Sequence, residues 1–176
     1  MDDFKSLLAL EFSLYGVLTQ QQLTRLEEHY RLLLRWNRKI NLTRITSLQD
    51  AVRYHYCESL YLATRLPPGP LRIVDIGSGA GLPGIPVAIY RPECTVDLVE
   101  SHQRKAVFLR EAARELKNVR VVAQRAESVT DSYDWTISRA VRPDDVLKLN
   151  LASHVAVLGA EGETLPWGEK RALFLR

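Results

Sequence analysis

Gly77, Gly79, Gly81 and Gly84 crowd one short segment, and the acid Asp75 stands just ahead of them. Glycines at this spacing between a strand and a helix let the backbone approach a ligand closely. The pattern reads in two ways. Gly79, Gly81 and Gly84 give G-x-G-x-x-G, the dinucleotide fingerprint, whereas Gly77, Gly79 and Gly81 give the tighter G-x-G-x-G. Asp75 separates them. A carboxylate at the end of the strand either faces a cationic ligand or holds the turn by accepting backbone N–H groups, and it would repel a pyrophosphate. S-adenosylmethionine has no phosphate and carries a sulfonium and an ammonium group, so Asp75 favours that cofactor over NAD. Glu100 lies about 20 residues beyond the loop, at the end of an apolar run, where a carboxylate can accept both ribose hydroxyls of a nucleotide. Gly77, Gly79, Asp75 and Glu100 are therefore the cofactor-binding residues expected from the loop itself.

The elements around this loop alternate. The run 71–76 reads as a strand buried on both faces, and 85–90 as a helix with Pro83 and Pro86 near its first turn. Strands follow at 95–99, 119–123, 135–137, 155–158 and 172–175. A helix spans 103–116 with Val107, Phe108, Ala112 and Leu116 inward, and another starts at Pro143-Asp144-Asp145. Alternating strands and helices imply right-handed crossovers and a mostly parallel sheet, an α/β Rossmann-like fold. Ahead of the stiff linker Pro67-Pro68-Gly69-Pro70 the chain is helical. One helix is expected over 4–14. A second opens with the capping box Thr19-Gln20-Gln21-Gln22 and runs to about Asn41. Ser47 signals a third, in which Val52, Tyr56, Leu60 and Ala63 share a stripe. The expected organisation is a helical extension over 1–66 and a cofactor-binding α/β domain over 67–176.

The 176 residues are 46% hydrophobic and 26% charged, the composition of a soluble globular protein. No stretch approaches the roughly 20 apolar residues that cross a bilayer, and no signal peptide is apparent, so a cytoplasmic protein without membrane contact is expected. Cys57 and Cys94 read as reduced thiols, and no Cys/His cluster has zinc spacing, so no metal is expected. The net charge of +3 is uneven: Arg25, Arg31, Arg35, Arg38, Lys39, Arg44 and Arg53 face only Glu27, Glu28 and Asp50 over the same stretch. Such a segment either meets a phosphate backbone or forms a solvated helix face. Trp36 within it reads as packing between helices rather than a stacking platform, and His55 as a satisfied buried histidine.

Four segments together resemble the glucose-inhibited division protein B family, also called ribosomal RNA small subunit methyltransferase G. They are Trp36-Asn37-Arg38-Lys39-Ile40-Asn41-Leu42-Thr43, the stretch from Asp75 to Pro86 with its Leu-Pro-Gly-Ile-Pro tail, Arg125-Ala126-Glu127 and Ser138-Arg139-Ala140. The resemblance runs from about residue 23 to residue 141. It implies an S-adenosylmethionine-dependent methyltransferase fold and transfer to N7 of a guanine in small-subunit (16S) ribosomal RNA. It places cofactor contacts at Gly77, Leu82, Ala126, Glu127 and Arg139, and RNA contacts at Arg125, Arg38, Lys39 and Asn41. Guanine N7 already carries a lone pair, so transfer requires alignment and exclusion of water rather than a catalytic base. No catalytic residue is expected beyond those that position, and the protein is expected to act as a monomer.

The chain also departs from that family. A Lys-Gly pair after the fifth strand becomes Leu158-Gly159-Ala160, the region 161–170 is severely shortened, and Arg-His and Asp-Ser become Tyr54-His55 and Glu58-Ser59. These changes keep two other readings open: a degenerate relative that binds RNA or cofactor without methyl transfer, and a methyltransferase for a different substrate. A nicotinamide dehydrogenase is disfavoured by Asp75 and by the lack of a Tyr-x-x-x-Lys set.

Overall fold

Five strands run parallel because each returns through a helix or a long crossover. They are β1 (Arg72–Ile76), β2 (Thr95–Val99), β3 (Val119–Val122), β4 (Tyr133–Arg139) and β5 (Ala152–Gly159). In the computed structural model, which describes residues 3–176, β6 (Glu163–Thr164) and β7 (Ala172–Leu175) complete one seven-stranded sheet of order β3-β2-β1-β4-β5-β7-β6. β7 pairs antiparallel with β5, Ala156 opposite Leu175. The order reverses between β1 and β4. In open α/β sheets a ligand crevice forms beyond the carboxyl ends of the strands at such a point. Helices α5 (Gly84–Tyr90), α6 (Gln103–Ala112) and α7 (Pro143–Lys148) connect the parallel strands.

Ahead of the sheet lie α1 (Phe4–Phe12), α2 (Gln20–Asn37) and a composite helix: α3 (Leu48–Asp50), a π-helical stretch Ala51–Cys57 and α4 (Glu58–Arg65). The Thr19 capping box is complete, with both reciprocal hydrogen bonds to Gln22. Val52, Tyr56, Leu60 and Ala63 are all fully buried, as their spacing requires. Their stripe holds although the π-helical turn widens the helix beneath it. Phe4, Leu26 and Tyr56 belong to the same hydrophobic cluster as Ile73, Leu98 and Leu173, so the N-terminal helices and the sheet share a core.

Some expectations need correction. α2 ends at Asn37 rather than near Asn41. The Asn37 side chain draws the chain out of the helix by accepting the N–H groups of Leu42 (2.9 Å) and Thr43 (3.0 Å) and donating to the Thr43 carbonyl. α6 stops at Ala112, and Val107 is half exposed rather than inward, because Ala106, Phe108 and Leu109 take the buried positions. β6 was not expected; two exposed residues carry no periodicity.

The C-terminal hairpin is fastened to the helical layer by charge. Glu58 is wholly buried, and Arg171, just ahead of β7, grips it with two N–H groups while lying over the Tyr54 ring, 4.8 Å from its centre. Trp167 packs edge-on against Tyr15 and Tyr61, and Arg65 pairs with Glu163 at 2.7 Å. Removing one partner of a buried ion pair strands the other. Arg171→Met should therefore lower stability by about 3 kcal/mol in urea unfolding. Adding Glu58→Gln to it should restore part of that loss, since no buried carboxylate then remains unpaired.

Candidate active site

The loop between β1 and α5 is compact, so its backbone groups need partners outside regular structure. Asp75 supplies one. Of its two possible roles it takes the second: it lies fully buried beneath the loop, where Oδ2 accepts the Gly84 N–H at 3.0 Å. A Cβ at Gly84 would come within 2.6 Å of that same oxygen, so glycine is required for the close approach. Oδ1 has no hydrogen-bond partner. Burial pushes the Asp75 carboxyl up to about 7, against the opposing effect of the Gly84 hydrogen bond and with a smaller push from Glu100.

Glu100 supplies two more. Oε2 accepts the Gly79 N–H at 2.8 Å and Oε1 the His102 N–H at 2.9 Å, so one carboxylate ties the loop to the start of α6. A carboxylate offers about four lone-pair sites, so acceptor capacity remains for hydroxyl groups of a ligand. Ser138, on β4, donates to the Ile76 carbonyl at 3.0 Å and fixes the carboxyl end of β1.

His29, on α2, is a partner that sequence reasoning missed. Its Nε2–H donates to the Ala80 carbonyl at 2.9 Å, and its Nδ1 accepts the Tyr56 hydroxyl at 2.8 Å. The carbonyl can only accept, which fixes the tautomer. Burial holds this imidazole down to about 4, so it is neutral. The apolar spacing of α2 marks residue 29 as inward, and a histidine inside an apolar face is the signal that could have revealed it.

Above the loop lies a cavity of about 200 Å³ at the point where the strand order reverses. The loop from Gly77 to Leu82 lines it together with Leu42, Thr43, His55, Arg139 and Ala140. A Cβ at Gly77 would meet nothing within 4 Å, and Gly77 has φ +68°, so this glycine opens directly onto free space. Ala140, although not glycine, sits at φ 59°, strained backbone of the kind that clusters at binding sites.

One hydrogen-bonded chain runs along the lining of this cavity. Arg139 Nη1 donates to His55 Nδ1 at 2.7 Å, and His55 Nε2–H donates to Thr43 Oγ1 at 2.8 Å. Thr43 Oγ1 also accepts the Ile45 N–H at 3.1 Å. A guanidinium only donates, so His55 is neutral, consistent with burial and the adjacent Arg139 charge holding it down to about 3. Burial also lowers Arg139, to about 10, with Glu58 opposing and Arg171 assisting. His55 is satisfied, as expected, yet it also lines the cavity.

The structure thus brings Gly77, Gly79, Leu82 and Arg139 together. Asp75 and Glu100 act from below and beside the loop. Arg125, Ala126 and Glu127 do not line this cavity: they follow β3 at the same edge of the sheet, in a turn where Arg125 and Glu127 are exposed. Arg38, Lys39 and Asn41 are exposed on the segment that Asn37 clamps, immediately before Leu42 and Thr43. Trp36 packs edge-on against Phe108 and donates to Glu111 at 2.9 Å, so it belongs to the interface of α2 with α6. A larger hollow of about 310 Å³ between α2 and α6 is lined in part by charges that pair with one another, such as Arg35 with Glu111. Among the described residues no cluster of His, Cys, Asp and Glu could hold a metal, and no helix is long and apolar enough to cross a membrane.

This fold is that of the α/β methyltransferases. Magnesium protoporphyrin IX methyltransferase from Synechocystis PCC 6803, solved with bound SAH, superposes with a TM-score of 0.54 at 18% identity, over 83% of this chain and 74% of that one. A SAM-dependent methyltransferase from Aquifex aeolicus superposes with a TM-score of 0.52 at 14% identity, over 68% and 71%. The GidB family model, described as rRNA small subunit methyltransferase G, matches residues 22–160, and the chain belongs to this family. The protein named ribosomal RNA small subunit methyltransferase G in Nitrosospira multiformis is 40% identical over 151 residues, 84% of this chain and 68% of that protein. The protein of the same name in Dichelobacter nodosus is 50% identical over 126 residues, 69% of this chain and 59% of that protein. The chain thus spans about three fifths to two thirds of the length of these relatives.

The buried Asp75 gives a test of the loop. Its folded value of about 7 lies above the ordinary 3.8, so the folded chain keeps a proton that the unfolded chain has released. That contribution is complete below the unfolded value and is lost as pH rises through 7. Asp75→Asn keeps an acceptor for Gly84 and cannot ionise. The Tm of the variant relative to the unaltered protein should therefore rise between about pH 5 and about pH 8.

Proposed function

We propose that the protein is an S-adenosylmethionine-dependent methyltransferase acting on N7 of a guanine in small-subunit ribosomal RNA. The observation that carries the reading is the cavity over the glycine loop at the strand-order reversal, in a chain of this family. The residues fit the cofactor. Gly77 leaves a cradle that a side chain would fill, Glu100 keeps acceptor sites at the loop, and Asp75 leaves an unpartnered acidic oxygen beneath it. Gly77, Gly79, Leu82 and Arg139 would hold the cofactor in the cavity, with Ala126 and Glu127 on its far side along the sheet edge. Bound there, the cofactor supplies an electrophilic methyl group on its sulfonium.

The protein's own part is to orient and to exclude water. Guanine N7 presents its lone pair without deprotonation, so no side chain needs to take a proton from it. Arg125, Arg38, Lys39 and Asn41, all exposed near the carboxyl edge of the sheet, are the proposed RNA contacts, the cations through phosphate. Such work belongs in the cytoplasm, where ribosomal RNA is processed.

Calorimetric titration with S-adenosylmethionine should show binding, and Gly77→Arg, which fills the cradle, should abolish it while leaving the far-UV spectrum intact. Incubation of unmethylated small-subunit RNA with the protein and cofactor should yield 7-methylguanine. Cofactor binding without methyl transfer to any guanine would instead favour a non-catalytic relative, in line with the missing Lys-Gly pair at Leu158-Gly159-Ala160.

A further inference from the structure

Arg139 lines the cavity, and two charged side chains act on it, Glu58 and Arg171. Glu58 is the one carboxylate of the group, and Arg171 occupies both of its oxygens. Arg139 makes no ion pair with any described residue; its hydrogen-bond partner is the neutral ring of His55. A guanidinium has five N–H donors and no acceptor. One is committed to His55, and the side chain lines the cavity beside Gly77. The one carboxylate that acts on it, Glu58, is already taken by Arg171, and burial holds Arg139 below the ordinary arginine value. The arrangement is therefore one anion short.

We propose that His55 is a positioning residue: a neutral acceptor that aims the Arg139 guanidinium so that its remaining N–H groups grip an oxyanion of the bound ligands. The inference rests on the methyltransferase reading for the identity of those ligands, but not for the geometry. Two oxyanions could fill the place, the carboxylate on the amino-acid part of the cofactor or a phosphodiester of the RNA. Both match the planar fork of arginine. Thr43 completes the device. It accepts the His55 Nε2–H that remains once Nδ1, the atom facing Arg139, serves as the acceptor. The segment carrying Thr43 is itself held by Asn37, so the aim of Arg139 is set from the end of α2.

The experiment compares His55→Leu, which removes the acceptor, with His55→Asn, whose amide oxygen falls near the position of Nδ1. Each is titrated with S-adenosylmethionine, with decarboxylated S-adenosylmethionine and with unmethylated small-subunit RNA over a range of salt. If the oxyanion is the cofactor carboxylate, His55→Leu weakens S-adenosylmethionine about tenfold, leaves the decarboxylated analogue unchanged, and His55→Asn recovers most of the loss. If it is a phosphodiester, both cofactors bind as before, RNA binding weakens and its salt dependence becomes shallower. Equal loss of both cofactor forms, or no change in any ligand, would overturn the proposal, because a merely structural histidine gives one of those two results. Should His55→Leu fail to fold, Arg139→Gln makes the same comparison. Should the unaltered protein bind no S-adenosylmethionine, the methyltransferase reading falls, while the RNA arm still decides on His55.

Discussion

A tight loop built from glycines exposes backbone N–H and C=O groups that no helix or strand satisfies, and the site depends on who satisfies them. Asp75 takes the Gly84 N–H from below, Glu100 takes the Gly79 N–H from the side, and His29 gives a proton to the Ala80 carbonyl from α2. These partners come from β1, from the end of β2 and from the N-terminal helices. A buried backbone group left without a partner costs as much as a lost hydrogen bond. The loop therefore holds its shape only when the sheet and the N-terminal helices are assembled around it, and its open face can stay clear of side chains.

The same economy of charge extends along the cavity wall. Two histidines, His29 and His55, lie inside the protein as neutral donor–acceptor bridges. Each donates an N–H to an oxygen and accepts a hydrogen bond at its other nitrogen, His29 from the Tyr56 hydroxyl and His55 from Arg139, so no buried imidazolium has to be stabilised. The ionic work is left to Glu58 and Arg171, whose fork-on-fork contact is the geometry in which a buried ion pair best offsets its desolvation. Arg139 then stands as the one cation of this wall whose charge faces open space.

Much of this architecture was legible because it rests on local chemistry. The capping box at Thr19, the proline at the start of α7 and the buried stripe Val52, Tyr56, Leu60 and Ala63 are set by short-range geometry, and each is where its residues place it. The glycine loop and Arg139 could be named from spacing and resemblance. The direction in which Asp75 points could not, because both of its roles need an acid at the same position. Thr43 and His55 were out of reach for another reason: their link to Arg139 spans 84 residues and exists only after the sheet has formed. Val107 shows the opposite failure, since an apolar residue on a helix face carries no mark of whether anything packs against it.

The grip of Arg171 on Glu58 joins residues 113 apart in the chain. Synthesis runs from the amino end, so Glu58 leaves the ribosome long before its partner exists. An ion pair that joins the helical layer to the C-terminal hairpin can therefore form only after nearly the whole chain has been made.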